Sequence, residues 1–429
     1  MLLALIVALL SLPSSSSSLS PPSSLFGSFP AAAEDAVFAV TRRFNECPLP
    51  GKVSCGVGAY RDSQGRPFVL PSVASARAAL AALPAGGWTH EYQPIGGPPA
   101  FAEAAQGLAF GPLLAGLAPR LGSVQSLSGT GALHLAVSLY AKFSPVGKVL
   151  FSDPTWGNHE AMFEAAGLEA STYRYLDPAT PTTPSLDFAG LKEDLLSAPE
   201  GALVLLQACA HNPTGVDPSP EQWREIAAVC EERKLVPLLD NAYQGFASGC
   251  VETDAFAVRL FAERKIPCFV ACSFAKNMGL YGERVGVLHV VAEDGEARDN
   301  AVSQLKIVAR TTYSNPPSFG GRIVEGVLGD AGRREQWEED LRGMAGRIVQ
   351  MRERLRDGLE RETGSSWKHI TDQIGMFSYT GLTKEQVKAC EEKGVFMLAS
   401  GRVSMAGLND ANVDATAKVM ADAIKGSSV

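Results

Sequence analysis

A lysine lies in a turn of small residues directly after an apolar run of strand length. Lys276 follows Ser273 in the segment SFAKNMGLYGERVG, and Arg284 lies near the end of that segment. An ammonium group beside a buried strand is costly unless its pKa is shifted or its nitrogen forms a Schiff base. A hydroxyl and a planar guanidinium on either side can bind an anion. The segment therefore indicates amine chemistry next to an anion site, although a lone lysine in a loop is usually a solvated side chain.

A carboxylate ends a second apolar run. Asp240 follows residues 235–239, and Tyr243 comes shortly after it. A carboxylate buried at the end of a strand needs a cationic partner, and a protonated pyridine nitrogen would supply one. An aspartate that caps the following turn explains this motif equally well.

Three further motifs carry weaker signals. Asn212 precedes a proline, which holds its backbone extended and lets its amide point outward, although Asn-Pro turns are common. Ser128, Gly129 and Thr130 open a helical pattern, and free amides and hydroxyls at a helix N-terminus bind anions. That segment lacks the Gly-Lys-Ser/Thr ending of a nucleotide-triphosphate loop. Trp156 follows another strand end, where it can stack on an aromatic ring or belong to the core.

The elements that would position these residues are short apolar runs alternating with amphipathic stretches. Ser219 opens one such stretch with a capping box, and Pro220 stands at its first helical position. Fully apolar strands are typical of a mostly parallel sheet buried on both faces, which binds ligands at the carboxyl ends of its strands. The sequence therefore predicts an α/β fold whose large domain has a mostly parallel sheet sandwiched by helices. The predicted strands are 149–152, 202–206, 235–239 and 268–271.

A long charged stretch without proline, residues 333–362, is predicted to be a helix that joins this sheet to a smaller α/β domain. Both chain ends are expected to form the smaller domain. We expect residues 31–69 to be its N-terminal part, residues 70–343 the large domain and residues 344–429 the C-terminal part of the small domain.

Composition limits the classes of protein to which the chain can belong. Its 429 residues are 46% hydrophobic and 20% charged, which is ordinary for a globular protein of two or three domains. The formal net charge of -8 argues against a broad nucleic-acid surface, which needs an excess of lysine and arginine. The eight cysteines form no CxxC pair and have no histidines at zinc-finger spacing, so we expect reduced thiols and no metal site.

The N-terminus differs in composition from the rest of the chain. Residues 1–10 are almost all apolar, and a Ser/Pro-rich stretch follows to about residue 30. The apolar run is too short for an ordinary membrane-spanning helix and is typical of a signal-sequence core, although the basic n-region is missing. Residues 1–30 are therefore predicted to be a presequence, and a signal followed by a transit-like segment favours a plastid. A mitochondrial or cytoplasmic location, or a misassigned start codon, would also fit this composition.

Together these motifs resemble one family closely, the class I aminotransferases of the aspartate aminotransferase type. The resemblance runs from about Leu25 to the C-terminus. It implies the two-domain α/β fold, pyridoxal 5'-phosphate as the cofactor of the large domain, and a homodimer with shared active sites. The motifs, in the family's order, are GVGAYR at 56–61, HNPTG at 211–215, the segment 273–286, YSNPP at 313–317 and GRVS at 401–404.

The resemblance assigns a role to each motif residue. Lys276 matches the catalytic lysine that binds the cofactor covalently, and Asp240 matches the carboxylate that keeps the pyridine nitrogen protonated. Tyr243 and Asn212 match the pair that hydrogen-bonds the ring oxygen, and Trp156 matches the aromatic residue that stacks on the ring. The remaining expected cofactor contacts are His159 behind the aspartate, the phosphate cup of Ser128, Gly129, Thr130, Ser273 and Arg284, and Tyr92, which reaches the neighbouring subunit's phosphate.

Two arginines determine the substrate that the resemblance implies. Arg402, with Gly58 beside it, matches the arginine that binds the α-carboxylate, and Arg310 matches the arginine that crosses the dimer interface to the distal carboxylate. Trp156 and Asn212 are expected to contact the substrate as well. Guanidinium groups bind carboxylates through two parallel hydrogen bonds, so two of them facing each other select dicarboxylic amino and keto acids. A substrate without the second carboxylate would leave Arg310 desolvated and unpaired.

The implied reaction is the reversible ping-pong transfer of the amino group from L-aspartate to 2-oxoglutarate, giving oxaloacetate and L-glutamate. Lys276 would act as the general base. An aromatic or broad-specificity aminotransferase would also fit, because such enzymes can share both arginines. A lyase or decarboxylase with the same cofactor and an inactive homologue are two further candidates. The inactive homologue is disfavoured by the retention of Lys276, Asp240, Tyr243, Arg284 and Arg402. Neither nucleic acid nor a membrane is an expected partner.

Overall fold

The computed structural model describes residues 25–84 and 87–426. The predicted presequence therefore lies largely outside the described residues. The strands are β1 (Val53–Ser54), β2 (Leu121–Leu127), β3 (Lys148–Asp153), β4 (Glu169–Arg174), β5 (Leu203–Gln207), β6 (Val236–Asn241), β7 (Cys268–Ser273), β8 (Val285–Val291), β9 (Phe377–Tyr379), β10 (Val395–Phe396) and β11 (Arg402–Ser404).

Helices connect these strands. The α-helices are α1 (Ala36–Glu46), α2 (Pro71–Ala81), α3 (Pro99–Phe110), α4 (Leu114–Leu117), α5 (Ser128–Phe143), α6 (Asn158–Ala165), α7 (Phe188–Ser197), α8 (Pro220–Glu232), α9 (Val251–Asp254), α10 (Phe256–Glu263), α11 (Gly295–Thr312), α12 (Ser318–Leu328), α13 (Ala331–Thr363), α14 (His369–Asp372), α15 (Lys384–Glu392) and α16 (Val413–Gly426). Short 3-10 turns are Phe26–Ser28, Gly111–Leu113, Ala118–Arg120 and Met405–Gly407.

The larger part of the described chain is built around a seven-stranded sheet with the order β2-β8-β7-β6-β5-β3-β4. Strands β3 to β7 pair in parallel, whereas β8 pairs antiparallel with both of its neighbours. The prediction of a mostly parallel sheet in an α/β fold is confirmed. The loop that carries Lys276 connects β7, which ends at Ser273, to the neighbouring antiparallel strand β8, which begins at Val285.

The central strands are apolar on both faces because helices cover both faces. Every residue of β5 is buried. Leu203 and Leu205 belong to one core cluster with residues of α5 and α11, whereas Val204 and Leu206 belong to a second cluster with residues of α3, α8 and α10. Burying such a side chain stabilises the fold by roughly 1.5–3 kcal/mol. The uninterrupted apolar runs of the sequence are therefore explained by a two-sided core.

The start of α8 follows the predicted capping box. The Ser219 hydroxyl accepts a hydrogen bond from the Gln222 N–H at 3.2 Å, and the Gln222 side chain accepts one from the Ser219 N–H at 2.8 Å. Pro220 occupies the first helical position, where its missing N–H costs nothing. The helix begins at the residue that the sequence predicts.

Both ends of the described chain meet in a smaller α/β part. β1 pairs in parallel with β10, so that Val53 lies opposite Val395. β9 and β11 form a separate antiparallel pair. The N-terminal segment thus supplies a strand next to the C-terminal part of the chain, although the domain boundaries themselves stay a prediction.

The predicted charged helix is confirmed as α13, which spans 33 residues. It begins where the Asp330 carboxylate accepts the Arg333 N–H at 2.9 Å, and it ends at Gly364, whose φ of 70° is left-handed. The predicted domain boundary at residue 343 falls inside this continuous helix.

One helical segment, Pro99–Arg120, is long and apolar enough to cross a membrane by length and composition. Core helices meet the same criterion. The helix α3 within this segment ends at Phe110, and Phe101 and Phe110 are both fully buried in the core cluster shared with α8 and α10. In the described fold this segment is therefore a core element.

Candidate active site

A cavity of about 380 Å³ lies at the carboxyl ends of β5, β6 and β7, which is where open α/β sheets bind their ligands. A larger, mainly apolar groove at the amino ends of β6 and β7 contains none of the predicted site residues. The predicted residues that line the cavity are Gly58, Ser128, Gly129, Thr130, Trp156, Asn212, Asp240, Tyr243, Ser273, Lys276, Arg284 and Arg402.

Lys276 lies in the loop after β7 and is partly buried. Its Nζ is 5.2 Å from the centroid of the Tyr243 ring. Removal from water lowers the pKa of Lys276, and the nearby charge of Asp240 opposes this shift while that of Arg284 adds to it. A lysine with a lowered pKa has more neutral amine at physiological pH, and the neutral amine is the nucleophile and the base.

The Asp240 carboxylate lies near the end of β6, buried behind the lysine. Its Oδ2 is 3.3 Å from Nε2 of His159, whose Nδ1 is 2.8 Å from the Thr155 hydroxyl. Within the described chain, His159 is the ion-pair partner found for this carboxylate. The chain of contacts fixes one side of Asp240 and leaves the side that lines the cavity for a cationic ligand.

A cup for an anion lies at the N-terminus of α5. The hydroxyl oxygens of Ser128 and Ser273 are 3.0 Å apart, and Thr130 and Arg284 line the same cavity. The 16-residue helix has no side-chain cap and no acidic residue in its first turn. Its leading N–H groups are therefore open to a negatively charged ligand such as a phosphate.

β8 passes so close to this cup that a side chain does not fit at one of its positions. A Cβ on Gly286 would lie 2.5 Å from the Ser128 carbonyl carbon and 2.6 Å from the Cys272 carbonyl oxygen. Glycine at this position lets β7 and β8 hold Ser273 against Ser128, as the anion cup requires.

Arg402 begins β11 and reaches the cavity from the smaller part of the chain. Its Nη2 donates to the Gly56 carbonyl at 2.7 Å and its Nη1 donates to Oδ1 of Asn212 at 3.2 Å. Its Nε is buried and has no hydrogen-bond partner among the described residues. Burial lowers the pKa of Arg402 to about 10. A buried guanidinium that bonds only neutral groups in the described chain is suited to receive an anion.

The ring of Phe377 forms the floor beneath this arginine. The Arg402 guanidinium carbon lies 4.0 Å from the ring centroid, a cation–π contact. A Cβ on Gly58 would lie only 2.8 Å from Phe377 Cζ. The glycine is thus required for close approach, because it lets the N-terminal strand segment pack directly against the floor of the arginine site.

Two aromatic side chains complete the walls of the cavity. Tyr243 is buried; burial raises its pKa, and the nearby Arg402 opposes this rise. Trp156 is half-buried, and its ring stands perpendicular to that of His159 at a centroid distance of 5.2 Å. Trp156 packs against the core cluster of α5 as well as lining the cavity, so it belongs partly to the core, and its stacking on an aromatic ring stays a prediction.

Three predicted site residues do not line the cavity in the described chain: His159, which contacts Asp240, and Tyr92 and Arg310, which are exposed. The Tyr92 side chain is 82% exposed. Arg310 is exposed near the end of α11, where its Nη1 donates to the Ser314 hydroxyl at 2.6 Å. Both were predicted to act across a dimer interface, and their positions leave that prediction open.

Sequence reasoning missed several residues that line the cavity. Phe377 and Gln207 form part of its wall, and Val37 and Phe38 of α1 lie at its edge. No motif singles out Phe377, because its contact with Arg402 depends on the pairing of β9 with β11. Gln207 offered a signal, since it is the polar residue that ends the apolar run of β5 beside Asp240.

The residues present fit a phosphorylated aromatic aldehyde. The cup at α5 suits a phosphate, Asp240 suits a protonated ring nitrogen, and Lys276 suits the aldehyde carbon. The buried Arg402 guanidinium, which within the described chain donates to two neutral oxygens, suits a further anion beside the ring. One cavity therefore provides for a cofactor and for an anionic substrate together.

Comparison with known proteins supports this interpretation. The sequence profile of the family described as "Aminotransferase class I and II" matches residues 50–420. A mitochondrial aspartate aminotransferase from Schizosaccharomyces pombe is 46% identical over 387 residues, which cover 90% of this chain and 87% of the relative. Relatives in the comparison include both mitochondrial and cytoplasmic forms.

Solved structures agree with the sequence comparison. The cytoplasmic aspartate aminotransferase of Saccharomyces cerevisiae matches with a TM-score of 0.89 and 42% identity, covering 94% of this chain and 99% of that chain. An aromatic-amino-acid aminotransferase from Burkholderia pseudomallei, covalently bound to pyridoxal phosphate, matches with a TM-score of 0.89 and 40% identity, covering 93% and 99%. With fold, cavity and sequence in agreement over most of its length, the chain belongs to the class I and II aminotransferase family.

Proposed function

We propose that the chain is an aspartate aminotransferase that uses pyridoxal 5'-phosphate to transfer the amino group of L-aspartate to 2-oxoglutarate. The observation that carries the proposal is a buried arginine, Arg402, which within the described chain hydrogen-bonds only neutral oxygens and lies in the same cavity as Lys276 and Asp240. Such an arrangement provides for an anionic amino acid and for an amine that can react with an aldehyde.

The cofactor would be held by residues of the large part of the chain. Ser128, Gly129, Thr130, Ser273 and Arg284 would bind its phosphate, and Trp156 would cover its ring. When bound, the cofactor supplies an electron sink for the negative charge that develops at the substrate α-carbon.

Asp240 would keep a proton on the ring nitrogen, because a buried carboxylate favours a cationic partner. His159 orients that carboxylate through the 3.3 Å contact. Tyr243 and Asn212 would donate hydrogen bonds to the ring oxygen. The raised pKa of Tyr243 keeps its hydroxyl protonated and therefore able to donate.

Lys276 would move the proton during the reaction. Its lowered pKa provides a neutral amine, which can take the proton from the substrate α-carbon and return it to the cofactor side. Arg402 would bind the α-carboxylate and so orient the α-carbon towards Lys276. The close packing of Gly58 on Phe377 would hold this end of the site dry, which strengthens the ion pair.

The distal carboxylate would be bound by Arg310 of a second copy of the chain. Arg310 is exposed, and its bond to Ser314 leaves most of its donors available. Tyr92, which is also exposed, would reach the phosphate of the neighbouring site. A homodimer with shared active sites would bury both residues where a single chain leaves them in solvent.

An aromatic or broad-specificity aminotransferase is the second candidate. The observation that favours it is that a solved aromatic-amino-acid aminotransferase has the same TM-score, 0.89, as a solved aspartate aminotransferase. The side-chain preference therefore depends on groups around the cavity edge and not on the fold.

A coupled assay tests the proposal. The purified protein, loaded with pyridoxal 5'-phosphate, is given aspartate and 2-oxoglutarate, and oxaloacetate is followed by its reduction with a malate dehydrogenase. We expect one glutamate for each oxaloacetate. Release of carbon dioxide or ammonia without glutamate would contradict transamination, and a higher kcat/KM with phenylalanine than with aspartate would favour the second candidate.

We also propose that residues 1–30 form a cleaved presequence that directs the protein to an organelle, with a plastid favoured. The apolar run followed by a Ser/Pro-rich stretch supports this. N-terminal sequencing of the native protein tests it. A mature protein that begins near residue 31 is expected, whereas one that retains residue 1 or 2 would contradict cleavage.

A further inference from the structure

Gln207 is the last residue of β5, and it lies in register with Asp240 of β6. Its side chain is 6% exposed, and both ends of its amide bond to a single residue. The Asn212 N–H donates to Gln207 Oε1 at 2.8 Å, and Gln207 Nε2 donates to the Asn212 carbonyl at 3.0 Å. The side chain therefore pairs with the main chain of Asn212 much as a neighbouring strand would.

The two residues before Asn212 are held by a different side chain. The Asp217 carboxylate accepts the N–H groups of Ala210 and His211 at 2.7 and 2.8 Å. The peptide groups of Asn212 itself are bonded by Gln207. The two supports are thus separate, and the orientation of Asn212 depends on the amide of Gln207.

We infer that Gln207 is a positioning residue for substrate binding, because it fixes the main chain of Asn212 and so holds the Asn212 side chain against Arg402. Oδ1 of Asn212 accepts one of the two hydrogen bonds that orient the buried guanidinium, and the Gly56 carbonyl accepts the other. Without Gln207, the turn could shift and the guanidinium would lose its orientation. The inference rests on the proposed binding of the substrate carboxylate at Arg402.

Replacing the amide by an apolar chain of similar length removes both bonds. One neutral hydrogen bond changes an equilibrium constant about fivefold, so the loss of both is expected to weaken dicarboxylate binding by Gln207→Met about 25-fold. Isothermal titration of the cofactor-loaded protein with succinate, which carries no amino group and does not react, measures this without turnover. Cofactor content, measured separately, is expected to stay that of the unmodified protein.

The variant Gln207→Glu adds a signature that a merely structural residue would not give. An ionised carboxylate can accept the Asn212 N–H but cannot donate to the Asn212 carbonyl, whereas a protonated carboxyl group can do both. Succinate affinity relative to the unmodified protein is expected to be low at pH 8 and to recover as the pH falls. Asp240, His159 and Lys276 are common to both proteins, so the ratio of affinities isolates the introduced carboxyl group.

Gln244→Met is the matched control. The Gln244 amide is also buried; it donates to the Leu108 carbonyl at 2.8 Å and to the Val251 carbonyl at 3.2 Å, and it accepts from Asn241 Nδ2 at 2.9 Å. Neither Gln244 nor Asn241 lines the cavity. This variant is expected to lose stability but to bind succinate within twofold of the unmodified protein.

Three outcomes would overturn the inference: unchanged affinity in Gln207→Met, an equal loss in Gln244→Met, or no recovery of Gln207→Glu at low pH. If Gln207→Met does not fold, the pH response of Gln207→Glu decides. If the unmodified protein does not bind succinate, the proposed function fails instead.

Discussion

The proposed site has an enclosed half, around Asp240 and Arg402, and an exposed half at Arg310. The two halves differ in the contacts that their side chains make within one chain. Asp240, His159, Asn212 and Arg402 are buried, and each has hydrogen-bond partners within the described chain. Arg310, by contrast, is exposed to solvent, and its hydrogen bond in the described chain is to Ser314. In the proposed site, one chain would orient the cofactor and the α-carboxylate, whereas Arg310 of a second copy would bind the distal carboxylate. Burying a charge is costly unless it is paired, so an arginine that acts across an interface can remain solvated until the partner and substrate arrive.

The largest effect is expected from the enclosed half. Lys276→Ala removes both the amine that binds the aldehyde and the general base, so turnover should fall by about 10⁴-fold or more. The measurement is aspartate-dependent oxaloacetate formation, together with the absorbance of the bound cofactor. The exposed lysine Lys388 provides the control, and Lys388→Ala should retain full activity. Appreciable turnover in the Lys276 variant would show that the buried amine is not the reactive group.

A change in the exposed half should lower activity only with substrates that carry a distal carboxylate. Arg310→Ala is expected to lower kcat/KM for aspartate by about 10²-fold, because a charge-assisted bidentate contact is worth about 3 kcal/mol. Its kcat/KM for phenylalanine should change little. The companion variant Arg402→Ala should lower kcat/KM for both substrates, since both have an α-carboxylate. Equal losses for aspartate and phenylalanine in Arg310→Ala would contradict a role for Arg310 in distal-carboxylate binding.

Mixed dimers sharpen the comparison further. Unfolding and refolding Lys276→Ala and Arg310→Ala chains together should create hybrids in which one site has Lys276 from one chain and Arg310 from the other. Each hybrid then has one intact site and about half the activity of the unmodified dimer. The mixture is compared with the two variants refolded separately. Activity no greater than their sum would show that Arg310 does not act across the interface.

The smallest effect concerns stability. The folded-state pKa of Lys276 is lowered by burial, so the unfolded chain binds more protons in the interval between that pKa and the unfolded-state value of about 10.4. This penalty is fully present below the folded-state pKa and disappears as the pH rises towards the unfolded-state value. In cofactor-free protein, Lys276→Met should therefore raise the free energy of unfolding at pH 7 by about 1 kcal/mol. The gain should shrink by pH 10, as measured by urea denaturation, and Lys388→Met should show no such trend.

Much of the fold could be predicted because its signals are local. The strands around 203–206 and 236–239, the capping box at Ser219 and the charged helix α13 all depend on periodicity, caps and apolar runs within a few residues. The strand β8 could not be placed by such signals. Its antiparallel position between β2 and β7 depends on pairing between segments far apart in the chain.

The candidate site likewise has residues that local sequence signals indicate and residues that only long-range packing brings into place. The positions of Lys276 and Asp240 after apolar runs indicated their chemistry, and the resemblance to a family supplied their roles. The support beneath them was not visible in the sequence. Phe377 lies under Arg402, and Gln207 brackets Asn212, through contacts that form only when separate elements pack together.

The sequence by itself determined which groups are available: an amine, a carboxylate, hydroxyls at a helix start and two arginines in recognisable motifs. The tertiary structure alone decided which of them share a cavity, since Arg402 meets an asparagine 190 residues earlier in the chain. It also decided that Arg310 stays in solvent. The physical reason is that residue type and spacing fix local conformation and chemistry, whereas burial, pairing and pKa depend on neighbours brought together by packing.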